Sequence, residues 1–220
     1  MSTPDEEAPI SSASLHNSWT YAEAFVPEDD VLTAARARAA EVGSVAISAG
    51  GGAVLRFLAA MLGARSVVEV GTGTGVSGVW MLRGMAPDGV LTTVESEAEH
   101  QRLARQTFAD AGFGVGRTRT ILGRALEVLP RLTDGGYDLV FCAGDKREYR
   151  DYTAEAHRLL RPGGVLALDN ALWHDKVADP AQRDPETVAL REAGRELLAD
   201  ERFVPLLLPV GDGLLLGLRR

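Results

Sequence analysis

The stretch Val67-Val68-Glu69-Val70-Gly71-Thr72-Gly73-Thr74-Gly75 decides how this chain is read. A short β-branched run passes directly into three glycines at alternate positions. A helix-like segment follows, and Glu95 closes the next apolar stretch. Glycines let a backbone approach a ligand closely, and a carboxylate further on can accept hydrogen bonds from a ribose. Glu95 lies about 20 residues beyond Gly75, the separation a ribose-binding acid takes. The pattern therefore reads as a grip for a nucleotide-type cofactor. The plain alternative is a strand-to-helix turn that needs glycines and nothing more.

The rest of the chain alternates in the same way. Strands are expected at 66–70, 90–95, 118–122, 137–142 and 164–169. Helices are expected between them at about 76–84, 97–112, 124–132 and 148–160. Strand–helix alternation implies parallel strands joined by crossover helices. The end differs. A helix is expected from Arg183 to Asp200, and then Phe203–Val210 and Leu214–Leu218 flank Gly211-Asp212-Gly213, the composition of a hairpin. The fold class expected is α/β: a Rossmann-like, doubly wound, seven-stranded sheet, mostly parallel, closed by a C-terminal antiparallel hairpin.

Upstream, residues 1–16 carry Pro, Ser and acids and read as a flexible acidic tail, leaving 17–220 as one domain. Asn17 to Ala24 reads as a short helix. Pro27-Glu28-Asp29-Asp30 opens another, with acids near the positive end of its dipole. Ser48-Ala49-Gly50-Gly51-Gly52 reads as a flexible break before a helix from Ala53 to Leu62.

Of the 220 residues, 45% are hydrophobic and 25% charged, enough for one well-packed domain. A net charge of −8 argues against sequence-independent nucleic-acid or anionic-membrane binding. The single cysteine, Cys142, excludes an internal disulfide and a Cys-rich zinc site and fits a cytoplasmic location. Neither a signal peptide nor a membrane-spanning apolar run is seen.

Gly73, Gly75 and Gly78 also spell G-x-G-x-x-G, the fingerprint of NAD-dependent oxidoreductases, which alone is weak. Three features favour S-adenosylmethionine instead: Glu69 inside the strand, Gly71 directly after it, and the terminal hairpin. A buried acid needs partners, and loop amides or the amino-acid part of the ligand would supply them.

These segments together resemble the cation-dependent class I O-methyltransferases, the caffeoyl-CoA and catechol O-methyltransferases and their actinobacterial relatives. The resemblance covers roughly residues 28–220. It rests on Val68–Ser77, Leu91–Glu95, Tyr137–Phe141, Asp145-Lys146 with Tyr149, Leu160–Gly164, Asp169–Trp173 and Leu208–Gly213. It implies methyl transfer from S-adenosylmethionine to a hydroxyl of a small molecule, and a homodimer. Ile47 would offer backbone atoms near the methionine end. Glu69, Gly71, Thr72 and Ser77 would hold the amino-acid portion. Glu95 would take the ribose with Ser96 beside it, Ala125 would lie near the adenine, and Asp145 would also touch the cofactor.

The resemblance breaks at the metal. The family's Asp-Ala-Asp-Lys is Ala143-Gly144-Asp145-Lys146 here. Two implied ligands, Asp169 and Asn170, are kept, and the third is Ala143, which supplies no oxygen. Three outcomes are open: weak magnesium binding through Asp169 and Asn170, substitution by Asp145, or chemistry without metal. The reading leans to weak or absent metal binding. Lys146 is the implied catalytic base, against the bland reading of a solvated lysine at a helix start. His174 is an alternative base. Ala143 and Trp173 are placed at the substrate, although a Trp there also suits core packing. Asp175 replaces a family glycine, and Glu192-Ala193 replaces a pair that is often Phe-Asn near the acceptor, so no particular acceptor is carried over. The runner-up function is a cofactor-binding protein of this fold with lost or changed catalysis.

Overall fold

The computed structural model describes residues 12–220. Helix α1 spans Ser12–Glu23, so it starts inside the segment expected to be a tail. The remainder of that expected tail lies outside the described residues. Helices α2 (Asp30–Glu41) and α3 (Ala49–Met61) precede the sheet. The order then runs β1 (Ser66–Val70), α4 (Val76–Gly84), β2 (Val90–Glu95), α5 (Ala98–Asp110), β3 (Thr118–Leu122), α6 (Ala125–Val128), β4 (Tyr137–Cys142), α7 (Tyr149–Leu159) and β5 (Leu160–Asp169). It closes with α8 (Pro185–Ala199), β6 (Phe203–Leu208) and β7 (Leu214–Arg219).

The seven strands lie in the order β3-β2-β1-β4-β5-β7-β6. All pairings from β3 across to β5 are parallel, and β7 runs antiparallel to both β5 and β6. The expected architecture is therefore the one observed. Chain order reverses between β1 and β4, and in open α/β sheets a ligand crevice opens outside the carboxyl ends of strands at such a point.

Side chains alternate across the sheet into two cores. Val67, Leu139, Phe141, Val165 and Leu216 pack with α2 to α5 on one face. Val68, Val140, Leu166 and Leu215 pack with α6 to α8 on the other. Central strands covered on both faces read as near-continuous apolar runs, which is why they stood out in the sequence. Asp138 fixes the entry of β1: its Oδ2 accepts the backbone N–H groups of Arg65 at 2.8 Å and Ser66 at 3.0 Å.

The expected break at 48–52 is not a break. Ser48 caps α3, its hydroxyl accepting the Gly51 N–H at 3.0 Å, and the three glycines are buried in the first turns. Packing, rather than flexibility, requires them. A Cβ on Gly52 would lie 2.4 Å from the Trp80 ring, and one on Gly50 would lie 2.6 Å from Glu23 Oε2. The cap and this close approach offset the helix cost of glycine, about 1 kcal/mol per residue.

Candidate active site

The loop after β1 is built around Glu69. Its side chain is fully buried beneath the glycines. Ser77, in the first turn of α4, donates to Oε1 at 2.5 Å, and Thr93 of β2 donates to Oε2 at 2.6 Å. Thr72 shares a 2.5 Å hydrogen bond with the Thr93 hydroxyl. Burial pushes the Glu69 carboxyl up to about 7, against the pull of the Ser77 and Thr93 hydroxyls. Its partners are thus these two hydroxyls. The loop amides expected as partners go elsewhere: Gly73 N–H donates to Glu95 Oε2 at 2.8 Å.

Glu95 ends β2 and faces the same loop. Its other oxygen, Oε1, accepts the N–H groups of Ser96 at 2.9 Å and Glu97 at 3.1 Å. Each carboxylate oxygen has two lone pairs, so acceptor capacity remains. Glu95 and Ser96 border a cavity of about 230 Å³ that also touches Gly71, Ala125 and Asp145. A second cavity of about 30 Å³ also touches Gly71 and is bordered by Ile47, Thr72, Ser77, Ala143 and Asp169. Gly71 has φ +87, and a Cβ there would lie 3.1 Å from the Ala143 carbonyl carbon. Glycine is required where the ends of β1 and β4 meet under the cleft.

Asp145 caps the 3₁₀ turn that begins at Lys146. Arg147 donates its backbone N–H at 3.0 Å and its Nη2 at 2.6 Å to the carboxylate. That side-chain bond holds the Asp145 carboxyl below its ordinary value.

Lys146 is not solvated. Its ammonium is buried, donates to the Tyr149 hydroxyl at 2.8 Å, and lies 5.9 Å from the centre of the Trp173 ring. Tyr149 in turn donates to the Asp169 carbonyl oxygen at 2.8 Å, which ties the ends of β4 and β5 together. Burial drives Lys146 down to about 8, opposed first by the Asp169 carboxylate and more weakly by Cys142, Asp212 and Asp145. Burial raises Asp169 to about 6, opposed by Lys146 and by the Asn170 amide.

After β5 the backbone is unusual. Asn170, Trp173, His174 and Asp175 all have left-handed φ between 49° and 63°. Such conformations cost non-glycine residues energy and cluster at functional sites. Asp175 thus adopts the conformation a glycine would take there. Asp212, from the β6–β7 loop, holds this segment: Oδ1 accepts the His174 N–H at 2.6 Å, and Asn170 Nδ2 lies 3.4 Å from Oδ2. The exposed His174 ring stands 3.6 Å from Asp212 Oδ2. Ala193, on α8, is buried in the core, and neither it nor Glu192 borders the cavities described.

The donors do not make a divalent-cation site. Ala143 presents a methyl group, Asp145 is engaged with Arg147, and Asp169 faces an ammonium. Among the described residues no group of three or more His, Cys, Asp or Glu side chains is placed to hold a metal. Magnesium and calcium need several oxygen ligands.

Comparison with known proteins gives the family. A model of the family described as O-methyltransferase matches residues 23–220. The chain belongs to the O-methyltransferase family. A Mycobacterium tuberculosis protein described as a probable O-methyltransferase is 50% identical over 216 residues, covering 98% of this chain and 95% of that protein. The O-methyltransferase TomG of Streptomyces achromogenes, solved in complex with SAM, superposes with a TM-score of 0.83 at 30% identity, covering 92% of this chain and 97% of its own. A Corynebacterium glutamicum structure superposes at 0.86 with 32% identity, covering 94% and 97%.

Within this O-methyltransferase, Gly78 is a packing glycine: a Cβ there would lie 2.7 Å from the Phe108 ring. Packing glycines of this kind occur in either fold, and it is the family match that displaces the oxidoreductase reading. Sequence reading assigned no site role to Tyr149, Asp212 or Ser44. Tyr149 was visible only as part of a motif, and Asp212 only as a turn residue. Ser44 borders the smaller cavity but sits in an irregular segment that carries no periodic signal.

Proposed function

We propose that this protein transfers the methyl group of S-adenosylmethionine to a hydroxyl of a small-molecule acceptor, without a dedicated divalent cation. One observation carries the reading: two cavities share Gly71 in their lining, one bordered by Glu95 and Ala125, the other by Ala143 and Asp169 beside the buried Lys146. A long ligand with a nucleoside at one end and an amino acid at the other, joined through a sulfonium, suits that course. Glu95, Ser96, Ala125 and Asp145 would take the nucleoside end. Ile47, Gly71, Thr72 and Ser77 would take the amino-acid end, with Glu69 setting the Ser77 hydroxyl.

When bound, S-adenosylmethionine supplies an electrophilic methyl. The chain must orient the acceptor and remove its proton. Lys146 is suited to the second task. With its pKa lowered to about 8, about a tenth of it is unprotonated at pH 7. Once protonated, its ammonium is stabilised by Asp169 and Tyr149. Trp173 lies over the ammonium and closes that side of the site. The base needs no metal-bound partner to be lowered, because burial does this. The single cysteine fits a cytoplasmic location, and the family resemblance fits a homodimer.

A second reading, a cofactor-holding protein without turnover, draws on Ala143. Two measurements separate the readings. S-adenosylmethionine and S-adenosylhomocysteine should raise the melting temperature and NAD should not. A screen of phenols with labelled methyl donor, with and without magnesium, should then give a methylated product in both conditions. Stabilisation without turnover across the screen would favour the second reading.

A further inference from the structure

Helix α1 is held by a few polar contacts rather than by apolar burial. Residues 16–22 are exposed. Trp19 and Glu23 both tie it to the rest of the chain. Trp19 Nε1 donates to the Pro209 carbonyl oxygen at 2.9 Å. Glu23 bridges two backbones: Oε2 accepts the Gly50 N–H at 3.0 Å, and Oε1 accepts the Gly211 N–H. Gly50 lies in the first turn of α3, where the helix dipole favours a carboxylate. Gly211 lies in the β6–β7 loop, one residue before Asp212. Bonds from backbone N–H to a charged carboxylate are among the stronger ones.

This arrangement shapes a cavity of about 560 Å³ bordered by Trp19, Leu172, His174, Pro209 and Asp212. Asp212 connects it to the site, since Asn170 Nδ2 lies 3.4 Å from its carboxylate. Trp19 is the aromatic wall. It precedes the span that the family model matches, which starts at residue 23. Its indole, held by α1, gives this cavity a flat wall.

We propose that Glu23 is a positioning residue for the methyl acceptor: its carboxylate clasps α1 to α3 and to the β6–β7 loop, and so holds Trp19 against a planar aromatic acceptor. The inference rests on the methyltransferase reading above. Glu23 touches neither the cofactor cavities nor the reacting atoms. It acts through Trp19 and through the loop that carries Asp212. The clasp is an element of low local stability, since few apolar contacts back it up.

The test uses the full chain and the variants Glu23→Gln, Glu23→Asp and Trp19→Ala. Hydrogen exchange read by mass spectrometry follows α1 and the amides of Gly50 and Gly211, while kinetics follow a phenol found active in the screen. In Glu23→Gln, exchange in α1 should rise, acceptor KM should rise about tenfold, and kcat at saturation and the thermal shift with S-adenosylmethionine should hold. Trp19→Ala should raise acceptor KM without loosening the Glu23 contacts, and Glu23→Asp should restore part of the wild-type behaviour. Unchanged exchange in Glu23→Gln would overturn the clasp. Equal losses in acceptor KM, kcat and cofactor response would also overturn it, because a general structural role does that. Absence of turnover in the wild type would sink the methyltransferase reading instead, and the exchange data alone would then decide the clasp.

Discussion

The two ends of the cleft solve opposite problems. At the β1–β2 end, every polar group around Glu69 has a partner, and the network of Ser77, Thr93 and Thr72 is closed within the protein. At the β4–β5 end, a buried ammonium, two acids and a left-handed loop meet beside a methyl group, Ala143. In the proposed reading the first end holds the cofactor. The second keeps charges in a poorly solvated place, where they shift one another's proton affinity. Holding a ligand needs satisfied groups; moving a proton needs one that is easily exchanged.

The largest effect should come from the second end. Lys146→Met should lower kcat by about 10²- to 10⁴-fold, the range for losing a positioned base, while the thermal shift with S-adenosylmethionine persists. A loss below about tenfold would move the base elsewhere, and His174→Ala would then be the variant to measure.

Next comes the holder. Ser77→Ala leaves one buried oxygen of Glu69 without its donor, which should cost about 1–3 kcal/mol of stability and weaken S-adenosylmethionine binding. Chemical denaturation and calorimetry measure both. An unchanged affinity would separate Glu69 and Ser77 from cofactor holding.

The contrast can also be sharpened by restoring what the second end lacks. Ala143→Asp adds a carboxylate beside Asp169 and Asn170. Magnesium should stabilise that variant against heat and leave the parent chain's melting temperature unmoved.

The smallest effect concerns pH and stability. Glu69 has its carboxyl raised to about 7 in the fold, from 4.5. Between those values the folded chain binds a proton that the unfolded chain has released. Stability should therefore fall as pH rises through that window and level off above it. Glu69→Gln should flatten the slope in denaturation curves taken from pH 4 to 8.

What could be read in advance follows the same division. The strands of β1, β2 and β4 and the loop glycines were legible because apolar runs, turn residues and an interior acid each leave a local mark. Glu69 and Glu95 stood out as acids at strand positions. Their partners did not, since Ser77, Thr93 and Gly73 come from different elements that only the sheet brings together. Gly50, Gly51 and Gly52 misled for a related reason. Their composition suggests looseness, but Glu23 and Trp80, distant in sequence, require the missing side chains. Lys146 illustrates the limit best: beside Arg147 it reads equally as surface, and only the packing of Tyr149 and Trp173 buries it. Asp212 carried a turn signal, which hid its contacts with Asn170 and His174.

The central claim is that burial of Lys146, rather than a bound cation, prepares the acceptor hydroxyl for attack. The most direct test is the pH dependence of methyl transfer in excess chelator. The rate should persist and rise with pH through a midpoint near 8, levelling off above it, as Lys146 loses its proton, and that limb should vanish in Lys146→Met. Activity abolished by the chelator and restored by magnesium would contradict the account.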